Sequence, residues 1–120
     1  YNMEYNFDIN NRAFKAIREK IKKIEIRATK VGVNHFNYGI LQPNDIINFT
    51  SFDGEKLKCV IGDVNWYDSI EKLLIMEGTR YTLSSTNDFN EGVKSINSLN
   101  GYEEAIKING VYAIHITPLK

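Results

Sequence analysis

The sequence predicts an α+β fold: a mostly antiparallel β-barrel with a basic helix after its first strand and short helices at the barrel ends. Residues 3–9 alternate apolar and polar side chains, which is the period of a strand with one buried face. Residues 13–21 then follow the i, i+3, i+4, i+7 spacing of an amphipathic helix. Asp53-Gly54 joins two further strand-like segments as a hairpin. This order of elements is typical of a small antiparallel barrel.

The predicted helix starts where Asn10 or Asn11 can cap its free amide groups. Its apolar stripe consists of Ala13, Phe14, Ile17 and Ile21. The period then changes to two, so Ile24 and Ile26 are expected to face the core. Glu25 and Arg27 are expected on the opposite face of the same strand, side by side.

The middle of the chain reads as a long connection followed by a hairpin. Residues 30–44 contain two glycines and a proline, and ordered connections of this length are often functional. Strands are predicted at 45–52 and 57–66, and Gly62 within the second indicates a bulge or bend.

Helices and one strand are predicted after the hairpin. Asp68-Ser69-Ile70-Glu71 has the pattern of a capping box, and Gly78 is expected to end the helix that it opens. Residues 79–88 form a polar loop, helical patches follow near 89–96 and 102–106, and the last strand is expected at 111–117.

Length and composition are those of one soluble domain over residues 1–120. The chain is 42% hydrophobic and has no apolar run near the ~20 residues that a transmembrane helix needs. Its amino terminus lacks the features of a secretion signal, so a cytoplasmic location and a monomer are the default expectations. The single cysteine, Cys59, excludes an internal disulfide, and its strand context favours an inert core thiol over a nucleophile.

The charge distribution is strongly uneven although the net charge is zero. Residues 12–30 contain eight of the fifteen basic residues and only two acidic ones, so this segment is +6 and the remainder is −6. A concentrated positive surface suits an anionic ligand or an RNA strand.

Several motifs along the chain together resemble the ASCH family, a branch of the PUA-like superfamily. The family's helix ends in a Gly-x-Lys turn followed by a Glu-x-Arg strand, which corresponds here to 20–27, with Lys20 in place of the usual glycine. Its Gly-Asp-x-Ile-x-Phe strand corresponds to 44–49, its strand-to-helix segment to 66–74, and its final Gly-Val strand to 110–116. The resemblance implies a PUA-like β-barrel with a cleft beside the helix-to-strand junction.

The resemblance also implies two functions. PUA-like folds of this kind commonly bind RNA or modified nucleosides, and some small bacterial ASCH proteins are similar to an amidohydrolase that deacetylates N4-acetylcytidine. In those enzymes a lysine, a threonine and a glutamate act on the substrate. Their counterparts here are Lys22, Glu25 in place of the threonine, and, approximately, Glu77.

The candidate site is the junction itself. Glu25 and Arg27 lie two residues apart on one strand, roughly 7 Å from each other, with Lys22 at the end of the helix. Arg27 suits a phosphate or base edge, and Glu25 suits an exocyclic amine. The alternative is a surface ion pair worth less than ~1 kcal/mol. The full set of predicted ligand-binding residues is Lys15, Arg18, Lys20, Lys22, Lys23, Glu25, Arg27, Phe36, Tyr38, Trp66 and Tyr67.

Four functions remain open at this point. The first is a binding module for RNA or a modified nucleotide, and the second is a hydrolase of an acylated nucleoside that uses Lys22, Glu25 and Glu77. A ribonuclease and a protein-interaction adaptor are the others. No cluster of metal ligands and no cofactor motif is present, and His115, within an apolar strand, is expected to be structural.

Overall fold

Five strands form one curled, half-barrel sheet in the computed structural model, which describes residues 2–119. The strands are β1 (Glu4–Ile9), β2 (Ile24–Arg27), β3 (Ile46–Ser51), β4 (Lys56–Tyr67) and β5 (Val111–Pro118). Their spatial order is β1-β3-β4-β5-β2, which places β1 and β2 at the two edges. Three pairings are antiparallel, as expected, but β1 is parallel to β3, so the sheet is mixed.

Within residues 2–119, four α-helices accompany the sheet: α1 (Asn11–Arg18), α2 (Ile70–Glu77), α3 (Phe89–Asn97) and α4 (Tyr102–Asn109). The Asn10 cap is confirmed, since its side chain accepts from the amide of Ala13. The cap of α2 is Ser69, whose side chain accepts from the amide of Lys72, so Glu71 lies one residue too early for the predicted capping box. Gly78 ends α2 with a φ of 81°, as its position predicted. The ladder between β4 and β5 shifts register between Ile61 and Val64, which confirms the bulge at Gly62.

The sheet has a hydrophobic cluster on each of two faces. On one face, α1 packs its Phe14 and Ile17 against β1, β3, β4 and β5. On the other face, α2 and α4 cover β2 and the start of β5. Among the residues described, no helix is both long and apolar enough to cross a bilayer.

Both sides of β2 are buried, which the alternation in the sequence did not predict. Ile24 and Ile26 pack beneath α2 and α4, as expected. Glu25, on the opposite side, is only 6% exposed, because that side faces the α1 half of the molecule rather than solvent. The interpretation of Glu25 and Arg27 as an exposed surface ion pair is therefore wrong.

The predicted apolar stripe of α1 is correct except at its end. Ala13, Phe14 and Ile17 are buried, whereas Ile21 is 58% exposed. The helix ends at Arg18, and Lys20 then takes a left-handed backbone conformation with a φ of 62°. Ile21 consequently leaves the helical register that would have buried it.

Candidate functional site

The turn that ends α1 fixes where the site begins. Lys20 donates its amide to the carbonyl of Ile17, and Ile21 donates to that of Ala16, the two bonds of a Schellman motif. The left-handed residue of that motif is normally glycine, and here it is Lys20. The turn reverses the chain so that Lys22 enters the protein and β2 follows directly.

Lys22 is a buried cation with all of its donors directed at oxygen. Its Nζ donates to the carbonyl of Ile24 at 2.7 Å and to that of Thr82 at 2.5 Å, and lies 3.5 Å from Oε1 of Glu25. Burial lowers the pKa of Lys22, and the facing Glu25 carboxylate partly offsets that effect. The ammonium thereby fastens the 79–88 loop to the start of β2.

Glu25 and Arg27 form a buried, charge-assisted pair on β2. Nε of Arg27 donates to Oε2 of Glu25 at 2.8 Å, and Nη2 lies 2.8 Å from the same oxygen. Burial on its own would raise the pKa of Glu25, but Arg27 and Lys22 outweigh it and hold the pKa below its ordinary value. Burial likewise opposes the charge on Arg27, and Glu25 outweighs it, so the pKa of Arg27 is raised. Glu25 is thus held ionised between two cations.

Arg27 also spans the opening between the two sheet edges. It lies on edge strand β2, and its Nη2 donates to the carbonyl of Asp8 on edge strand β1 at 2.9 Å. Its guanidinium lies 5.4 Å from the ring centroid of Phe7 and 5.8 Å from that of Tyr38. No backbone ladder joins β1 to β2 in the described sheet, so this hydrogen bond from Arg27 links the two sheet edges.

Lys22, Glu25 and Arg27 line one cavity of about 300 Å³. Its walls come from the end of β1, the start of α1, β2, the loop after α2 and the connection between α3 and α4. Four cationic side chains and two carboxylates line it, an excess of two positive charges; they are Arg12, Lys22, Arg27, Lys30, Asp8 and Glu25. Such a concave site with converging polar groups suits a small anionic ligand.

Two solved archaeal structures resemble this fold over nearly its whole length, whereas no protein-family model and no curated protein matches the chain. The crystal structure of hypothetical protein PH0355 has a TM-score of 0.82 and 30% identity, covering 98% of this chain and 100% of that one. This chain belongs to the PH0355 family. The solution NMR structure of protein PF0455 from Pyrococcus furiosus has a TM-score of 0.75 and 29% identity, covering 98% of this chain and 99% of the other. The half-barrel that holds the cavity is therefore a family fold.

The other predicted basic residues of this PH0355-family chain lie outside the cavity lining. Lys15, Arg18, Lys20 and Lys23 are exposed, around α1 and the turn that follows it. Arg18 forms an exposed ion pair with Glu55 at 3.0 Å, and Lys23 lies over the ring of Tyr81 at 4.7 Å. These side chains therefore belong to the exposed surface of α1 and the following turn and not to the cavity wall.

Glu77 is not brought to the Lys22 cavity. Its Oε2 accepts from the hydroxyl of Tyr67 at 2.5 Å and from Asn65 at 2.9 Å, and its Oε1 lies 2.8 Å from Nε2 of His115. Burial opposes the charge, but these hydrogen bonds lower the pKa of Glu77 below its ordinary value. Burial, with Glu77 adding to it, raises the pKa of Tyr67 to about 12. The cluster ties the end of α2 to β4 and β5.

The predicted aromatic residues divide into two groups. Trp66 and Tyr67 lie away from the cavity lining, and the indole of Trp66 donates to the carbonyl of Asn109 at 3.0 Å. Phe36 and Tyr38 lie near Arg27, on the far side of its guanidinium from the main cavity. Cys59 is fully buried, and burial raises its pKa to about 12, which fits an inert thiol.

Sequence reasoning missed several lining residues because they come from distant parts of the chain. Arg12 and Lys30 were noticed only as members of the basic segment, and Phe52 and Tyr102 were not singled out. Phe52 is 72% exposed at the hairpin turn and also lines the cavity. No local signal in the sequence marks Phe52, because single exposed apolar side chains are common on protein surfaces.

Proposed function

We propose that this protein binds a nucleotide, free or within RNA, in the cavity formed around Glu25 and Arg27. The observation that supports this most is the buried Lys22, Glu25 and Arg27 cluster in the wall of a cavity with excess positive charge. Burying three charges is costly, and a hydrophobic replacement is often as stable, so retaining them at an opening favours a binding role.

The three charges match different parts of a nucleotide. Oε1 of Glu25 has Lys22 at 3.5 Å, longer than a normal hydrogen bond, so it retains acceptor capacity for an exocyclic amine. Arg12 and Lys30, at the cavity lining, supply charge for a phosphate. Phe52 supplies an exposed ring on which a base can stack, an interaction worth ~1–3 kcal/mol.

We infer further that the chain is an ASCH-type domain of the PUA-like superfamily. The order of motifs from the helix-ending turn to the last strand supports this assignment, together with the curled half-barrel and the Glu25 and Arg27 pair beside α1. Nucleotide binding can be measured whether or not this assignment is correct.

The test is a titration of the full chain with the four nucleoside 5′-monophosphates, followed by amide chemical shifts and calorimetry. Shifts are expected to cluster at residues 8–13, 22–30 and 82–85. Arg12→Gln is expected to weaken binding by about tenfold, because one charge-assisted hydrogen bond to the ligand is removed. Arg80→Gln is the control, since Arg80 is also exposed but does not line the cavity. Absence of binding, or equal losses in both variants, would refute the proposal.

Hydrolysis of an acylated nucleoside is the second candidate, favoured by the lowered pKa of Lys22. The position of Glu77, among Tyr67, Asn65 and His115, gives this candidate less support. Incubation with N4-acetylcytidine tests it: turnover that disappears in Lys22→Met would support it, and no turnover by folded protein removes it for that substrate. A separate incubation with RNA tests the ribonuclease alternative, and RNA that stays intact would argue against it.

A further inference from the structure

A second cavity adjoins the first on the other side of Arg27. It measures about 260 Å³ and is lined by residues of β2 and of the long connection: Arg27, Ala28, Lys30, His35, Phe36, Tyr38 and Tyr102. Arg27, Lys30 and Tyr102 line both cavities, so these three side chains form the boundary between two adjacent compartments.

The second cavity has aromatic walls that are held in place from behind. The rings of Phe36 and Tyr38 lie 4.9 Å apart, and Phe36 meets Phe7 edge-to-face at 5.0 Å and Tyr5 at 5.5 Å. Tyr38 is anchored through its amide, which donates to Oγ1 of Thr29 at 3.1 Å. A preorganised aromatic wall binds a flat ring with little ordering cost.

The boundary between the compartments is cationic. Arg27 directs Nε and Nη2 at Glu25 and Asp8, and its Nη1 has only a long contact of 3.4 Å to the hydroxyl of Tyr38. Nη1 therefore retains donor capacity. The aliphatic stem of Lys30 passes over Gly101, since a β-carbon added to Gly101 would lie 3.6 Å from Cδ of Lys30. Lys30 lines both cavities, so its ammonium adds a second positive charge to the boundary.

We propose that the two cavities are neighbouring base sites for a single-stranded oligonucleotide, with the connecting phosphodiester at Arg27 and Lys30. This inference rests on the proposed function and specifies its ligand as two or more linked nucleotides. A free nucleoside fills one compartment and leaves the aromatic wall of Phe36 and Tyr38 unused. A dinucleotide has an anionic phosphodiester between two flat bases, and this arrangement matches two cavities separated by a cationic boundary.

The test compares the four nucleoside 5′-monophosphates with the sixteen ribodinucleoside monophosphates by calorimetry on the full chain. The preferred dinucleotide is expected to bind about tenfold more tightly than either of its mononucleotides, since one further base stacks on an aromatic wall. Only the dinucleotide is expected to shift the amides of His35 and Phe36.

Variants separate the second cavity from the packing behind it. Phe36→Leu is expected to reduce the dinucleotide affinity to the mononucleotide level while mononucleotide binding is unchanged. Tyr5→Leu is the matched control, because Tyr5 belongs to the same aromatic cluster but does not line this cavity. His35→Ala gives a second variant at an exposed residue, expected to weaken only the dinucleotide, by a few-fold.

The outcomes distinguish this inference from the proposed function. If mononucleotides bind and dinucleotides bind no more tightly, the second site is refuted and the proposed function stands. If neither binds, both are refuted. If Tyr5→Leu lowers dinucleotide affinity as much as Phe36→Leu does, the effect is one of packing and the second site is again refuted.

Discussion

Glu25 controls the charge balance of the candidate site. Its carboxylate contacts both Lys22 and Arg27, and none of the three side chains is more than 14% exposed. Removing one member of a buried pair leaves an uncompensated charge, which costs far more than the pair itself contributes. The Arg18 and Glu55 pair offers a comparison in the same protein, since both of its partners are exposed.

We expect Glu25→Gln to lower the free energy of unfolding by about 3–5 kcal/mol, because Lys22 and Arg27 would be left buried without a counter-charge. Glu55→Gln should cost less than ~1 kcal/mol, because solvent screens the exposed pair. Urea unfolding of both variants measures the two values. Equal costs would mean that solvent reaches Glu25 in the folded protein.

The same carboxylate predicts a dependence of stability on pH. The pKa of Glu25 is lowered in the folded protein, so its contribution is complete above the unfolded pKa of about 4.3 and disappears as pH falls through the folded pKa. The difference in unfolding free energy between the wild type and Glu25→Gln should therefore shrink steadily as pH falls below that value. A difference that stays constant down to about pH 2 would contradict the pKa shift.

At the level of elements, the turn after α1 holds a residue in a strained backbone conformation. Lys20 occupies the left-handed position of the Schellman motif with a φ of 62°, and its side chain is exposed. A β-carbon there costs roughly 1 kcal/mol relative to glycine. The site therefore begins at a turn whose sequence is not optimal for stability.

Lys20→Gly should raise the free energy of unfolding by up to about 0.5 kcal/mol, because relief of the strain exceeds the added entropy of the unfolded chain. Thermal unfolding would show a rise of a few degrees. Lys23→Gly is the control, since Lys23 has no left-handed backbone, and it should destabilise the protein. A loss of stability in Lys20→Gly would show that the lysine side chain has a structural role.

Two glycines that end helices of equal length allow a second test. Gly78 after α2 and Gly110 after α4 have φ values of 81° and 77°. A β-carbon on Gly78 meets no atom within 4 Å, whereas one on Gly110 would overlap the indole of Trp66. An alanine would therefore have a similar backbone strain at either position, but only at Gly110 would its β-carbon also overlap a neighbouring side chain.

Gly110→Ala should therefore destabilise the protein by about 1–3 kcal/mol more than Gly78→Ala does, because it must also displace Trp66. Chemical denaturation of both variants gives the difference, and Trp66 fluorescence reports the displacement directly. In a Trp66→Ala background the excess should vanish. If it persists, the clash with the indole is not its cause.

Local signals in the sequence predicted the helices and strands, whereas the burial and the lining of the candidate site depend on tertiary contacts. Asn10, Ser69 and Gly78 act through neighbours a few residues away, so their roles were predictable. The parallel pairing of β1 with β3, and the burial of Glu25, depend on which strands meet, which alternation cannot reveal. Phe52 and Tyr102 reach the cavity for the same reason, from elements far from β2 in sequence.

At the scale of the whole molecule, the basic segment contributes both to the cavity wall and to the exposed surface of α1 and the turn after it. An RNA strand that extended from the cavity over this surface would meet further positive charge. Long-range attraction of this kind is reduced by salt, whereas the buried contacts of Glu25 and Arg27 are screened much less.

The double reversal Lys15→Glu and Lys23→Glu should weaken binding of a short single-stranded RNA and reduce the log–log salt slope by roughly 1.4, at about 0.7 for each phosphate that is no longer neutralised. The reversal Lys94→Glu and Lys107→Glu is the matched control, since both lysines are exposed on α3 and α4, outside the basic segment. Fluorescence anisotropy at several salt concentrations measures both slopes. Identical slopes would restrict recognition to the cavity.

The pairing of β2 has a consequence for biosynthesis. Within the described sheet, the strand that carries Glu25 and Arg27 hydrogen-bonds to β5 alone, with Ile24 opposite His115. As the nascent polypeptide leaves the ribosome, residues 24–27 must wait for this ladder partner until residues 111–118 have emerged. Such distant pairing forms slowly because a long loop must close first. An interrupted translation product that lacks residues 111–118 would therefore leave Glu25 and Arg27 on a strand without its ladder partner.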